Sequence, residues 1–301
     1  MSHLSNPSSL ALVLGGGGAV GNAWLIGVIA GLGDAGLDLA ETASVVIGTS
    51  AGATAAAQIC SGVPLAELYE QTLAPPAGDA PRRPAGAPSS ALFERMRAIN
   101  ASSSSAPELQ RAMGAFGLEY DADLPPGAAE RRRAVVAARL PSHEWPQKRI
   151  VITAVDAHTG ELVALDRESG ADLVDAVMAS TAMPGPTVAI NGRRYLDGGV
   201  RSPENADLAS GYANVVVLSP LGGARPDRPG QFEGLRRFPD TELAGHVEAL
   251  RAAGSRVEVV FPDADSLGAM GTNMMDLAAR GPAARAGLAQ GRREAGRMVF
   301  A

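Results

Sequence analysis

Two apolar runs near the start of the chain each end in glycine and pass directly into helix-like sequence. They are LALVLGGGGAVG, residues 10–21, and SVVIGTSAGA, residues 44–53. Strand passing into helix in this way, repeated along the chain, points to a mostly parallel sheet. The rest of the chain keeps the rhythm. Strands are predicted over 10–14, 44–47, 150–155, 162–165, 214–218 and 257–261, several without polar alternation, as in strands covered on both faces. Helices are predicted over 20–35, 51–61, 65–73, 172–180, 242–253 and 274–290. Together these predict an α/β fold, a three-layer α/β/α sandwich around a mostly parallel central sheet.

One region breaks the alternation. Residues 74–146 begin with the Pro-rich APPAGDAPRRPAGAPSS and continue into Ala- and Arg-rich helical stretches at 92–99 and 107–116. They carry no strand signal, so they read as a linker and helical cap inserted into a single domain spanning 1–301. VDAHTGELVAL and AINGRRYLDGG read as hairpins, with Asn191-Gly192 as the turn of the second.

Net charge and cysteine content narrow the function classes. A net charge of −6 disfavours nucleic acid as partner, because binding phosphates needs a basic surface. One cysteine, Cys60, excludes an internal disulfide and a multi-thiolate metal site, and fits a reducing cytoplasm. The opening MSHLSNPSSL lacks the pattern of a secretory signal, and the glycine-broken stretch after it is no membrane span. The expectation is a cytoplasmic protein whose membrane contact, if any, is peripheral.

Gly48-Thr49-Ser50-Ala51-Gly52 has the spacing of a nucleophile elbow, in which a sharp strand-to-helix turn presents a serine hydroxyl. The earlier glycine loop, Gly16-Gly17-Gly18-Ala19-Val20-Gly21, offers bare amides and a helix N-terminus, both suited to an anion. It also fits a dinucleotide fingerprint, but that motif expects an acidic residue at the end of the next strand, where the serine elbow stands instead. On adjacent parallel strands, the amides of Gly16, Gly17 and Gly18 can face a carbonyl attacked by Ser50. Serine needs a base. Of the four histidines only His246 has the chain order of a Ser-Asp-His triad, and ELAGHVEAL reads as helix interior. Asp197, followed by Gly198 and Gly199 at the end of a short strand, is the better candidate, although Asp-Gly-Gly is also an ordinary turn.

In these three motifs the sequence resembles the patatin-like phospholipases, over most of the chain outside the cap. The resemblance implies a lipid acyl hydrolase with a Ser-Asp dyad. Ser50 would be its nucleophile, Asp197 its general base and Gly16–Gly18 its oxyanion loop, with Gly21, Gly48, Gly52, Gly198 and Gly199 supporting the turns. It implies a lipid or ester substrate and no metal or organic cofactor. The family usually carries Arg or Lys where this chain has Val20. Two alternatives stand beside it: a triad hydrolase using His246, and a catalytically degenerate nucleotide-binding or regulatory module.

Overall fold

The computed structural model describes residues 9–74, 90–183, 185–223 and 238–298. The opening residues 1–8, most of the Pro-rich stretch (75–89) and Pro184 of the ASTAMPG segment lie outside them. The strands are β1 (Leu10–Leu14), β2 (Val45–Gly48), β3 (Ile150–Asp156), β4 (Leu162–Leu165), β5 (Val188–Ile190), β6 (Arg193–Asp197), β7 (Asn214–Leu218) and β8 (Arg256–Val260). The helices are α1 (Gly18–Asp34), α2 (Leu39–Thr42), α3 (Ala51–Ile59), α4 (Leu65–Leu73), α5 (Ser90–Ser102), α6 (Ala106–Ala122), α7 (Ala128–Ala137), α8 (Leu173–Ser180), α9 (Leu243–Ala252), α10 (Ala264–Met270) and α11 (Arg280–Glu294).

Strands β3, β2, β1, β7 and β8 form a parallel sheet, to which β4, β5 and β6 add antiparallel pairs. Alternation along β1 separates two cores. Leu10, Leu12 and Leu14 join Trp24, Ile29 and Val177 on one face, whereas Ala11 and Val13 join Val247 and Leu250 of α9 on the other. The sandwich expected from the sequence is the one observed. On the first face α1 and α11 pack at backbone contact, made possible by glycine. A Cβ on Gly27 would lie 2.2 Å from the Ala284 carbonyl, one on Gly31 2.1 Å from that of Leu288, and one on Gly291 2.2 Å from that of Val28.

Register on β3 positions the site. Ile152 pairs with Gly48 of β2 and with Leu165 of β4, while Ala154 pairs with Val163 of β4 and Asp197 of β6. A strand has two edges, so β2 and β6 occupy the same one, and β6 begins to pair where β2 leaves. The last residues of the two strands, Gly48 and Asp197, therefore stand two β3 residues apart, about 7 Å along the edge.

Some elements differ from the sequence reading. Helix 274–290 starts only at Arg280, because the Asn273 carboxamide oxygen accepts from the Met275 amide and the Asp276 carboxylate from the Ala278 amide. The short helix α10, capped by Asp263 at the Ser266 amide, had no periodic signal long enough to register. Residues 90–137 form three helices, α5 to α7. Leu92 is buried, and Met96 and Ile99 pack with Met113, Val155 and Leu196.

Candidate active site

The elbow is built by glycines at its two ends. Thr49 donates its amide to the Leu14 carbonyl at 3.0 Å, and the chain then reverses through Ser50 at φ 55°, ψ −115°. A non-glycine residue in such a conformation costs on the order of 1–3 kcal/mol, which the surroundings must offset. Glycine on either side permits the close approach that the turn makes: a Cβ on Gly52 would lie 1.9 Å from the Leu14 carbonyl oxygen, and one on Gly48 2.5 Å from that of Gly52. The Ser50 amide donates to Ser180 Oγ at 2.9 Å, tying the turn to the end of α8.

Asp197 ends β6 at 2% exposure. Its Oδ1 accepts the Gly199 amide at 2.7 Å, and the Ser50 hydroxyl favours its charged form. Burial raises the carboxyl to about 7, against the lowering effects of the Gly199 N–H, the Ser50 hydroxyl and the Arg132 guanidinium. Gly198 is required by packing, since a Cβ there would lie 2.3 Å from Thr153 Oγ1.

The glycine loop lies against the serine: a Cβ on Gly16 would be 3.4 Å from Ser50 Cβ. One expectation is corrected here. The Gly16 amide is committed to the Pro203 carbonyl at 2.8 Å and cannot donate to a reacting oxygen at the same time. Gly17 and Gly18, at the N-terminus of α1, have no intramolecular acceptor for their amides among the described residues. Gly18 needs its freedom, with φ at 59° and a Cβ position 2.6 Å from the Met274 carbonyl. Val20 is fully buried and donates its amide to that same carbonyl at 3.0 Å. Met270, Met274 and Met298 belong to the core, whereas Met275, 43% exposed, reaches the edge of Gly18 with its sulfur.

His246 lies elsewhere. It is buried on α9, on the opposite side of the sheet, with Nε2 3.3 Å from the Asp240 carbonyl and 3.5 Å from Asp207 Oδ1. Burial lowers its pKa and favours the neutral ring. Cys60 sits half-buried just past α3, where burial pushes its thiol up to about 12 and disfavours the thiolate. Among the described residues no group of His, Cys, Asp and Glu is arranged to hold a metal ion, and no helix is long and apolar enough to cross a membrane.

Four residues of the site went unread in the sequence: Ser180, Thr153, Asn205 and Arg132. Each is a lone polar residue in ordinary surroundings, and its role arises from contacts between distant segments. Arg132 of α7 donates to the carbonyls of Pro186 at 3.0 Å and Met178 at 3.3 Å, which brings a cation from α7 toward Asp197.

A family model described as patatin-like phospholipase matches residues 12–210. None of the curated proteins matches the sequence. Among solved structures, VipD from Legionella pneumophila is similar at 17% identity and a TM-score of 0.39, covering 73% of this chain and 51% of that one. The type III effector ExoU is similar at 17% identity and a TM-score of 0.37, covering 97% of this chain and 54% of that one. ExoU of Pseudomonas aeruginosa in complex with SpcU gives 18%, 0.35, 96% and 54%. The chain thus spans about half the length of the solved structures it matches. With the family model covering the elbow, the glycine loop and the Asp-Gly-Gly turn, the chain belongs to the patatin-like phospholipase family.

Proposed function

We propose that this protein hydrolyses carboxylic esters of lipids through an acyl-enzyme on Ser50, with Asp197 as general base. The observation that carries this reading is the placement of Ser50 and the buried Asp197 at the ends of β2 and β6 on the same edge of β3, with the carboxyl raised to about 7 by burial and its charged form favoured by the Ser50 hydroxyl. A base poised near neutral pH can both take and return a proton there. Ser50 Oγ attacks the acyl carbon as its proton passes to Asp197. The carbonyl oxygen becomes an oxyanion facing the Gly17 and Gly18 amides at the N-terminus of α1. Collapse expels the alcohol, which takes the proton from Asp197. Water then attacks the acyl-enzyme and gives its proton to Asp197, and Ser50 leaves reprotonated. No metal or organic cofactor enters any step. A lipid substrate implies that the protein works at, or draws from, a lipid surface without spanning it; the cytoplasm is the compartment that its single thiol fits.

Ser50→Ala and Asp197→Asn should each abolish hydrolysis of a p-nitrophenyl acyl ester while the circular-dichroism spectrum stays that of the parent. A fluorophosphonate probe should label Ser50. His246→Ala should change kcat less than twofold, whereas a triad would make it as damaging as Asp197→Asn. A folded parent that resists the probe at Ser50 would instead favour a degenerate, regulatory module.

A further inference from the structure

Asn205 is fully buried, sits at φ 49°, and joins the segments that carry Ser50 and Asp197. Its Nδ2 donates to the Ser202 carbonyl at 2.8 Å, to the Gly198 carbonyl at 3.2 Å and to Thr49 Oγ1 at 3.2 Å, with Thr153 Oγ1 at 3.5 Å. Thr49 immediately precedes Ser50, and Gly198 immediately follows Asp197. Thr153 lies on β3 between the two strand ends, and its hydroxyl meets Thr49 Oγ1 at 2.8 Å. The carboxamide has only one way round. Its Oδ1 accepts from Arg201 Nη1 at 2.8 Å, and a guanidinium cannot accept, so the NH2 group must face the elbow and the aspartate turn. Arg201 is in turn held by a two-bond fork to Asp207, at 2.9 and 2.7 Å.

We infer that Asn205, oriented by the Arg201–Asp207 pair, is a positioning residue that sets the separation of Ser50 from Asp197 by tying Thr49 and Gly198 to one rigid carboxamide. This rests on the dyad reading given above. The carboxamide can do this because three features act together. Burial removes competing water, Asn tolerates the left-handed backbone, and the planar NH2 reaches two loops at once. Neither loop needs a direct bond to the other. Displacements of about 1 Å at a reacting pair cost rates on the order of a hundredfold, so a group that fixes the spacing acts on kcat rather than on substrate affinity.

The test uses Asn205→Asp, which keeps the oxygen facing Arg201 but removes the donors, and Thr49→Val, which removes the Thr49 hydroxyl with its contacts to Asn205, Thr153 and the Glu204 carbonyl but leaves the Gly198 and Ser202 links in place. Active sites are counted by fluorophosphonate titration, and kcat and KM for a p-nitrophenyl ester are expressed per titrated Ser50. Asn205→Asp should lower kcat per site at least tenfold and slow the labelling rate in parallel, with KM within twofold. Thr49→Val should lower kcat two- to fivefold in the same pattern. A merely structural role would reduce the titratable fraction and the Tm but leave kcat per site at the parent value; that result overturns the inference. Should Asn205→Asp fail to fold, Thr49→Val decides alone. If the parent is not labelled at Ser50, the dyad reading itself fails, a result separate from unchanged kcat in a labelled variant.

Discussion

Asp156 and Asp197 end neighbouring antiparallel strands, with Asp156 facing Tyr195 and Asp197 facing Ala154. Their exposures are 3% and 2%, yet their carboxyls move in opposite directions. Burial pushes Asp156 up, but the Thr159 and His158 amides and the Arg193 guanidinium outweigh it and hold the group below its ordinary range. Asp197, with one amide, one hydroxyl and a more distant cation, rises to about 7. Asp197 also lies deeper among protein atoms than Asp156, so depth of burial and the supply of donors together set the direction in which each carboxyl moves. The well-supplied aspartate closes a hairpin, and the poorly supplied one is the base of the proposed dyad.

Exchanging each acid for its amide separates the two most sharply. Asp197→Asn should lower kcat by roughly 10² to 10⁴ or more, the usual range for losing a general base, while Asp156→Asn should leave the rate per titrated site within a few-fold of the parent. Stability should move the other way. Ionising Asp197 in the folded state costs about 4 kcal/mol at one pKa unit per 1.36 kcal/mol, so at pH 8 Asp197→Asn should be the more stable protein by up to that amount in urea unfolding. Asp156→Asn should be less stable by about 1.5–3 kcal/mol, the range for hydrogen bonds to a charged group.

The pH dependences have opposite signs. Folded Asp197 binds its proton more tightly than the unfolded chain, whose value is 3.8, so its contribution is fully present below about pH 4 and is lost as the pH rises toward 7. Asp156 has a depressed folded pKa. Its stabilisation is present above 3.8 and disappears as the pH falls through the folded value. Urea titrations of both amide variants across pH 3–8 should thus converge with the parent at the acid end, approaching it from opposite sides. The ester-hydrolysis rate of the parent should rise along an acid limb centred near pH 7, where Asp197 ionises. The smallest effect concerns the neighbouring cations. Arg132→Gln should move that limb upward, because a positive charge that favours the Asp197 carboxylate is lost, whereas Arg193→Gln should leave the limb in place. An unmoved limb in Arg132→Gln would show that α7 does not reach Asp197 electrostatically.

The architecture was readable because it rests on local signals: unalternated β-branched runs for the parallel strands, and Asn191-Gly192, both at positive φ, for the second hairpin. Ser50 and Asp197 were readable because glycine marks their turns, and Gly48, Gly52 and Gly198 are each enforced by a backbone or side-chain atom too close for a Cβ. What the sequence hid is non-local. That Gly16 spends its amide on Pro203 depends on a segment 187 residues away, and Asn205 differs from any other loop asparagine in that the distant Thr49 and Thr153 meet it alongside the partners of its own loop. The late start of the last helix was hidden differently, by side chains of Asn273 and Asp276 competing for backbone amides that periodicity treats as free.

The backbone contact between α1 and α11 gives the site an order of assembly. A nascent chain that has reached residue 210, the end of the family match, already contains the elbow and the aspartate turn. It lacks the Met274 carbonyl that receives the Val20 amide, and the α11 surface on which Gly27 and Gly31 rest. The loop that begins α1 acquires its footing only when the last helix is made. The two halves of the site are thus separated in time as well as along the chain, and the half that would receive negative charge is the later one.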